Sequence, residues 1–193
     1  MKKGNLDIEI DKFTECLEDA NGKLYDTVVY EIEDPNILQG FNRKNRWRAN
    51  WKKLYNEGFK IFALALKDSP LVFQGLIALM NDFEAGVTII DWAVANPKNV
   101  PLENNGVKEY YGVGGHLFAI ALEESIRQGF GGIVVGHPSN KKLYEHYQKE
   151  LHAKPFNVGA LAYGYEYTII LEGMDARYVY GKYNFENIDQ IKE

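Results

Sequence analysis

The sequence is short of several things that would announce a function. It holds one cysteine, Cys16, so an internal disulfide is excluded and a reducing, cytoplasmic setting is expected. No apolar run approaches membrane-spanning length, and Met1-Lys2-Lys3 leads into acidic polar sequence rather than an apolar signal core. The net charge of -5 works against a general nucleic-acid binder, whose affinity comes largely from neutralising phosphates. There is no Gly-x-x-x-x-Gly-Lys-Ser/Thr, which argues against a nucleotide triphosphatase. His116, His137, His146 and His152 are scattered and no cysteine pair accompanies them, so no metal set is expected. Neither an internal repeat nor a low-complexity segment is present. The 193 residues, 46% hydrophobic and 25% charged, have the length and composition of one well-packed globular domain.

What the sequence does have is a glycine-rich stretch, Tyr111-Gly112-Val113-Gly114-Gly115-His116, running into an amphipathic segment from Leu117 to Gln128. Glycine permits a tight turn and close approach of a ligand. At a helix start the amides of Val113, Gly114, Gly115 and His116 are unpaired donors reinforced by the helix dipole, a setting suited to phosphate or pyrophosphate. The plainer alternative is a turn that only caps a helix. Gly129 fits a helix stop, residues 133–135 read as a short buried strand, and Ser139 or Asn140 caps a helix over about 141–151. A dinucleotide-binding unit is argued against, because a long connection separates the turn from the preceding strand.

The rest of the chain reads as follows. Leu6, Ile8 and Ile10 alternate with Asp7, Glu9 and Asp11, giving one apolar face, and Asn21-Gly22 marks a hairpin turn. Pro35 opens a short helical turn to about Gly40. Residues 41–58 are basic and aromatic; helical spacing groups Trp47, Trp51, Leu54 and Tyr55, with Arg43, Lys44, Arg46, Arg48, Lys52 and Lys53 elsewhere. This is either a patch for an anionic partner or an amphipathic helix with solvated cations. Residues 59–66, 71–80 and 86–95 read as an antiparallel meander, and 133–135, arriving through a helix, should lie parallel to its neighbour. Residues 161–171 alternate as a strand packed on both sides, 173–180 form a short helix, and the tail from Glu186 is expected to be loose.

The window Glu109-Tyr110-Tyr111-Gly112-Val113-Gly114 and the pair Asn140 and Tyr147, seven residues apart on one helix, resemble the two central motifs of the Gcn5-related N-acetyltransferase (GNAT) superfamily. Glu109 stands where the family has a basic or amide residue, and His152 where it usually has glycine. The likeness covers about residues 59–156. It implies one α/β domain over residues 1–193, with a mixed, mostly antiparallel sheet flanked by helices on both faces. It implies acetyl-CoA as co-substrate and acetyl transfer to a primary amine. The pantetheine arm would lie in the splay of the parallel strands, held by Val94 and nearby backbone with Asn140, and the pyrophosphate on Tyr111 through His116. Tyr147 would be the general acid. Asp91, an acid in an apolar run, is the favoured base, with His137 as runner-up and a water relay as a third route. Two departures keep other readings open. Glu109 and His152 fit a degenerate member acting as a non-catalytic acyl-CoA-binding or interaction module, and the cations of 43–53 fit a toxin-type member acylating aminoacyl-tRNA. Cys16 reads as structural, and paired sheet edges in this fold leave a homodimer open.

Overall fold

The computed structural model describes residues 1–183. Its centre is a sheet of seven strands in the order β3-β4-β5-β6-β7-β9-β8. The strands are β3 (Thr27–Glu31), β4 (Lys60–Leu66), β5 (Ser69–Asp82), β6 (Val87–Ala95), β7 (Val134–Gly136), β8 (Lys154–Pro155) and β9 (Ile169–Leu171). The pair β6–β7 is parallel; every other neighbouring pair is antiparallel. A small hairpin, β1 (Leu17–Glu18) with β2 (Leu24–Tyr25), turns at Asn21-Gly22 as the sequence predicts.

Period-two alternation divides the core between the two faces of the sheet. On β4, Phe62, Leu64 and Leu66 join the larger core under α2 (Val113–Arg127), α3 (Lys141–Glu150) and α4 (Gly173–Tyr180). Ile61, Ala63 and Ala65 join a second core with Trp47 and with Trp51 and Leu54 of α1 (Trp51–Asn56). Helices therefore cover both faces, as expected.

Two expectations need correction. The basic segment is not one helix over 41–58. A 3-10 turn at Arg43–Asn45, capped by Asn42, ends at Arg46, and Arg46 and Arg48 adopt φ of 65° and 61°. Asn50 then caps α1 with its side chain on the Lys53 amide. Left-handed residues cannot continue a helix, so the shared spacing of Trp47 and Trp51 reflects a common core instead. Likewise, residues 161–171 are not one strand. Gly159 and Gly164, at φ of 77° and 82°, bend the chain through turns, and only Ile169–Leu171 pairs in the sheet. The expected loose tail from Glu186 lies outside the described residues.

Candidate functional site

The parallel strands β6 and β7 pair only from Thr88 to Ile90 and from Val134 to Gly136. Beyond that the chain's own amino-terminal segment enters between them. Leu6 pairs in parallel with Ala93 on one side and Pro138 on the other. Its amide donates to the His137 carbonyl at 3.1 Å, and its carbonyl accepts from Ser139 N–H at 3.0 Å. Gly4 makes this entry feasible, since a Cβ there would collide with the His137 carbonyl.

From Leu6 the segment follows a groove to the glycine turn. The Tyr147 hydroxyl accepts from Ile8 N–H at 3.3 Å and donates to the Ile8 carbonyl at 2.6 Å. Ile10 N–H donates to His146 Nε2 at 2.9 Å. The Glu9 carbonyl lies where a Cβ on Gly114 would be, and the Lys12 carbonyl crowds Gly115 in the same way. Asp11 reaches the turn itself: Oδ1 accepts from Gly112 N–H at 2.9 Å and Oδ2 pairs with Lys108 at 2.6 Å. A carboxylate thus occupies a place at the head of α2 where the dipole favours an anion.

The alternation noted in the sequence now has partners on both faces. Leu6, Ile8 and Ile10 are buried in the larger core beside Leu117, Leu143 and Tyr147. On the other face Asp7 pairs with Arg48, Glu9 with Lys142 at 3.0 Å, and Asp11 with Lys108. Over this acidic face lies a cleft of about 430 Å³, walled by Ala95, Asn99, Val113, Gly114, Asn140 and Leu143 among others.

The residues read as a cofactor site are brought together, but around this segment. Gly112, Val113, Gly114, Gly115 and His116 are buried, and Tyr111 remains partly open. His116 Nδ1 lies 3.0 Å from the Gly112 carbonyl, and Nε2 lies 3.0 Å from the Glu15 carbonyl and 3.3 Å from Thr27 Oγ1. Asn140 caps α3 by accepting from Leu143 N–H at 3.0 Å. The Val94 side chain belongs to the second core, on the opposite face. Glu109 faces Lys98 at 3.9 Å, away from any contact with the turn amides. The splay and the glycine turn, which the sequence resemblance implies for pantetheine and pyrophosphate, are filled here by the chain's own amino-terminal segment.

Tyr147 is fully buried, and that burial pushes its phenol far above the usual range. Asp91 is the extra residue where β6 bulges, between the pairs Ala78–Trp92 and Leu79–Ile90. Burial raises its carboxyl pKa, opposed by the charge of Lys2. His137 is stacked on Tyr165 with ring centroids 3.6 Å apart, and its Nδ1 lies 3.0 Å from Thr168 Oγ1. Burial, assisted by Lys2, lowers the His137 pKa to about 4. Lys2 Nζ donates to the Tyr165 hydroxyl at 3.1 Å, and Lys2 pairs in parallel with Tyr165. The amino-terminal segment therefore runs from the Asp91–His137 side through the splay to the glycine turn. The alternation of residues 6–11 was visible in the sequence; its destination was not.

The basic segment is largely committed within the fold. Trp47 and Trp51 are buried, Arg48 pairs with Asp7 and Glu103, Arg46 donates to the Glu103 carbonyl, and Lys53 pairs with Glu57. The Cys16 thiol lies 3.5 Å from Asp26 Oδ1, and burial raises its pKa, so it is not an activated nucleophile. Among the described residues no cluster of His, Cys, Asp or Glu is suited to hold a metal ion, and no helix is long and apolar enough to cross a membrane.

Magnitudes say how firmly the segment is held. Re-exposing Leu6, Ile8 and Ile10 costs roughly 5–9 kcal/mol, at about 1.5–3 kcal/mol for each large aliphatic side chain. A ligand at a hundred times its Kd supplies about 2.7 kcal/mol. A small molecule at that excess supplies less than the apolar contacts of the segment do.

No protein-family model matches the chain, and no curated protein matches it. Solved structures do. The ribosomal-protein-S18-alanine N-acetyltransferase from Escherichia coli is similar over 75% of this chain and 90% of its own, at 14% identity and a TM-score of 0.47. A putative acetyltransferase from Exiguobacterium sp. 255-15 is similar over 78% and 95%, at 13% identity and a TM-score of 0.48. An acetyltransferase of the GNAT family from Staphylococcus aureus Mu50 is similar over 75% and 97%, at 9% identity and a TM-score of 0.48. It is the topology that speaks for the fold. An antiparallel meander β4-β5-β6, a glycine turn opening α2, and a parallel β6–β7 pair that parts beyond Ile90 make up the mixed, mostly antiparallel α/β sheet fold that the sequence resemblance implies.

Proposed function

We propose that the chain is an acyl-CoA-dependent N-acyltransferase acting on a primary amine, with its substrate channel filled in the conformation described. One observation carries this reading. The channel accommodates an extended backbone, paired to both edges of the splay at Leu6, and seats a carboxylate on the Gly112 amide. An extended, amide-containing arm ending in phosphates has the same requirements: strand-edge partners along its length and an anion site at the end. When bound, acyl-CoA supplies an acyl group activated as a thioester. The residues that would hold it are the edges at Ala93 and Pro138, the amides from Gly112 to Gly115, and Lys108 and Lys142 for phosphate charge; the His116 amide, expected as a fourth free donor of the turn, is instead bonded to the Gly112 carbonyl at 3.2 Å. The Gly114 cradle fits such a group only once the Glu9 carbonyl has left it.

For the proton transfers, Tyr147 is the candidate donor, its hydroxyl donating to the Ile8 carbonyl in the channel. Asp91 is preferred over His137 as acceptor. A carboxylate raised by burial gains basicity, whereas an imidazole lowered to about 4 is a weak base. The acceptor amine would approach from the Asp91 and Lys2 side. The test is release of free thiol from acetyl-CoA in the presence of a panel of amines, using protein whose channel has been emptied as described below. Amine-dependent thiol release, reduced at least tenfold by Asp91→Asn, supports the reading; none with any amine removes it.

A second reading is favoured by the burial of Leu6, Ile8 and Ile10. In it the segment never leaves, and the fold is a non-catalytic module. The two part on a single point, whether the channel can be emptied without unfolding the protein.

A further inference from the structure

The amino-terminal segment resembles a ligand more closely than a packing element, and this bears on regulation. It rests on the acyltransferase reading. We infer that residues 4–12 are an intrasteric inhibitor, a strand of the chain that occupies the acyl-CoA channel and must be withdrawn before the protein can act. Three independent features of the segment match features of the channel. Leu6 takes the place between the parting strands, bonded to His137 and Ser139 and paired with Ala93. Ile8 engages both hydrogen-bonding capacities of Tyr147, so the candidate proton donor is unavailable to anything else. Asp11 sits on Gly112 and Lys108 at the head of α2, an acid where a phosphate would go.

The outward face completes the match. Asp7, Glu9 and Asp11 neutralise Arg48, Lys142 and Lys108, the cations bordering the remaining cleft. A strand needed only for packing requires its apolar face alone; surface pairs add little stability. These acids instead remove the positive charge that an anionic co-substrate would use. Co-substrate at a hundred times its Kd supplies less than the segment's apolar contacts, so opening is assigned to something that acts on the segment: capture by a partner or cleavage of the chain. The hairpin tip at residues 20–24 is exposed and gives a place where cleavage would free the segment.

The experiment uses the full chain with a protease site inserted at Asn21-Gly22. Acetyl-CoA binding is measured by calorimetry before cleavage and after cleavage with removal of the fragment by gel filtration in sub-denaturing urea. The intact chain is expected to show no binding at 100 μM acetyl-CoA, and the cleaved, folded chain a Kd at least a hundredfold tighter than any intact-chain limit. Adding back a synthetic peptide of residues 1–20 should raise the apparent Kd at least tenfold, and the peptide with Asp11→Lys should do so less effectively. Equal binding before and after cleavage overturns the inhibitor inference while leaving the acyltransferase reading standing. A cleaved chain that is folded and free of fragment, yet binds no acetyl-CoA, overturns both. A fragment that stays until the protein unfolds overturns the inference as well, because the segment is then a fixed part of the core.

Discussion

The hydroxyl of Tyr147 and the peptide unit of Ile8 form a reciprocal pair: the hydroxyl accepts from the Ile8 amide and donates to the Ile8 carbonyl, across 139 positions of sequence. Both groups are buried, so the pair ties α3 to the amino-terminal segment as a backbone ladder would. It also gives Tyr147 a structural task that is separable from any role in proton transfer.

Tyr147→Phe therefore leaves two buried backbone groups without partners. The expected loss is about 1–3 kcal/mol of stability, read as a fall in the urea midpoint. Amide exchange at Ile8 and Ile10 should accelerate more than exchange in β4. Unchanged exchange at Ile8 would contradict the pairing.

Gly114 faces the Glu9 carbonyl with no space for a side chain. Gly114→Ala must move the segment or the head of α2, at an expected cost of about 1–3 kcal/mol. Intrinsic helix propensity acts in the opposite direction, so a net stabilisation of the variant would show that the contact is absent. Limited proteolysis near residues 13–15 should become faster in the variant.

His137 links stability to pH. Its unfolded pKa is near 6.5 and its folded pKa about 4, so between these values the unfolded chain binds the proton more readily. The stability it contributes is present above pH 6.5 and is lost as pH falls through 4, at most roughly 3 kcal/mol. Urea midpoints measured from pH 7 to pH 4 should drop more steeply for the native sequence than for His137→Gln.

Glu124 is the remaining strong polar centre. Its buried Oε1 accepts from Lys60 at 2.8 Å, Asn81 at 2.8 Å and Gln128 at 2.9 Å, joining α2 to β4 and β5. Glu124→Ala strands these donors and should cost about 2–4 kcal/mol, whereas Glu124→Gln keeps the volume and an acceptor and should cost less. Equal urea midpoints for the two variants would show that the hydrogen bonds do not matter.

The fold was more legible in the sequence than the site. Residues 59–95 showed three apolar runs joined by turn-rich links, and β4, β5 and β6 follow within a few positions. Of the two caps that the sequence offered, Ser139 and Asn140, it is Asn140 that caps α3, a choice among neighbours in sequence. Residues 41–58 misled because apolar spacing does not distinguish a helix from two short elements whose aromatics share a core; the left-handed Arg46 and Arg48 carry no sequence signal. The segment from Leu6 to Asp11 was readable as two-faced, but alternation states only that two faces exist. Its partners, Ala93, Pro138 and Gly112, are remote in sequence, and pairing across such distances follows from tertiary structure alone.

The distance between Ile8 and Tyr147 also sets an order of events during synthesis. Ribosomes add about 5–20 residues per second, so on the order of ten seconds separate the appearance of Ile8 from that of Tyr147. The meander β4-β5-β6 is complete well before α3 exists, and the apolar edge of residues 6–10 waits without its partner. Insertion of this segment is therefore among the last steps of folding. A nascent chain stalled before α3 would expose Leu6, Ile8 and Ile10 together with the unpaired edge of β6, the combination that makes folding intermediates prone to associate.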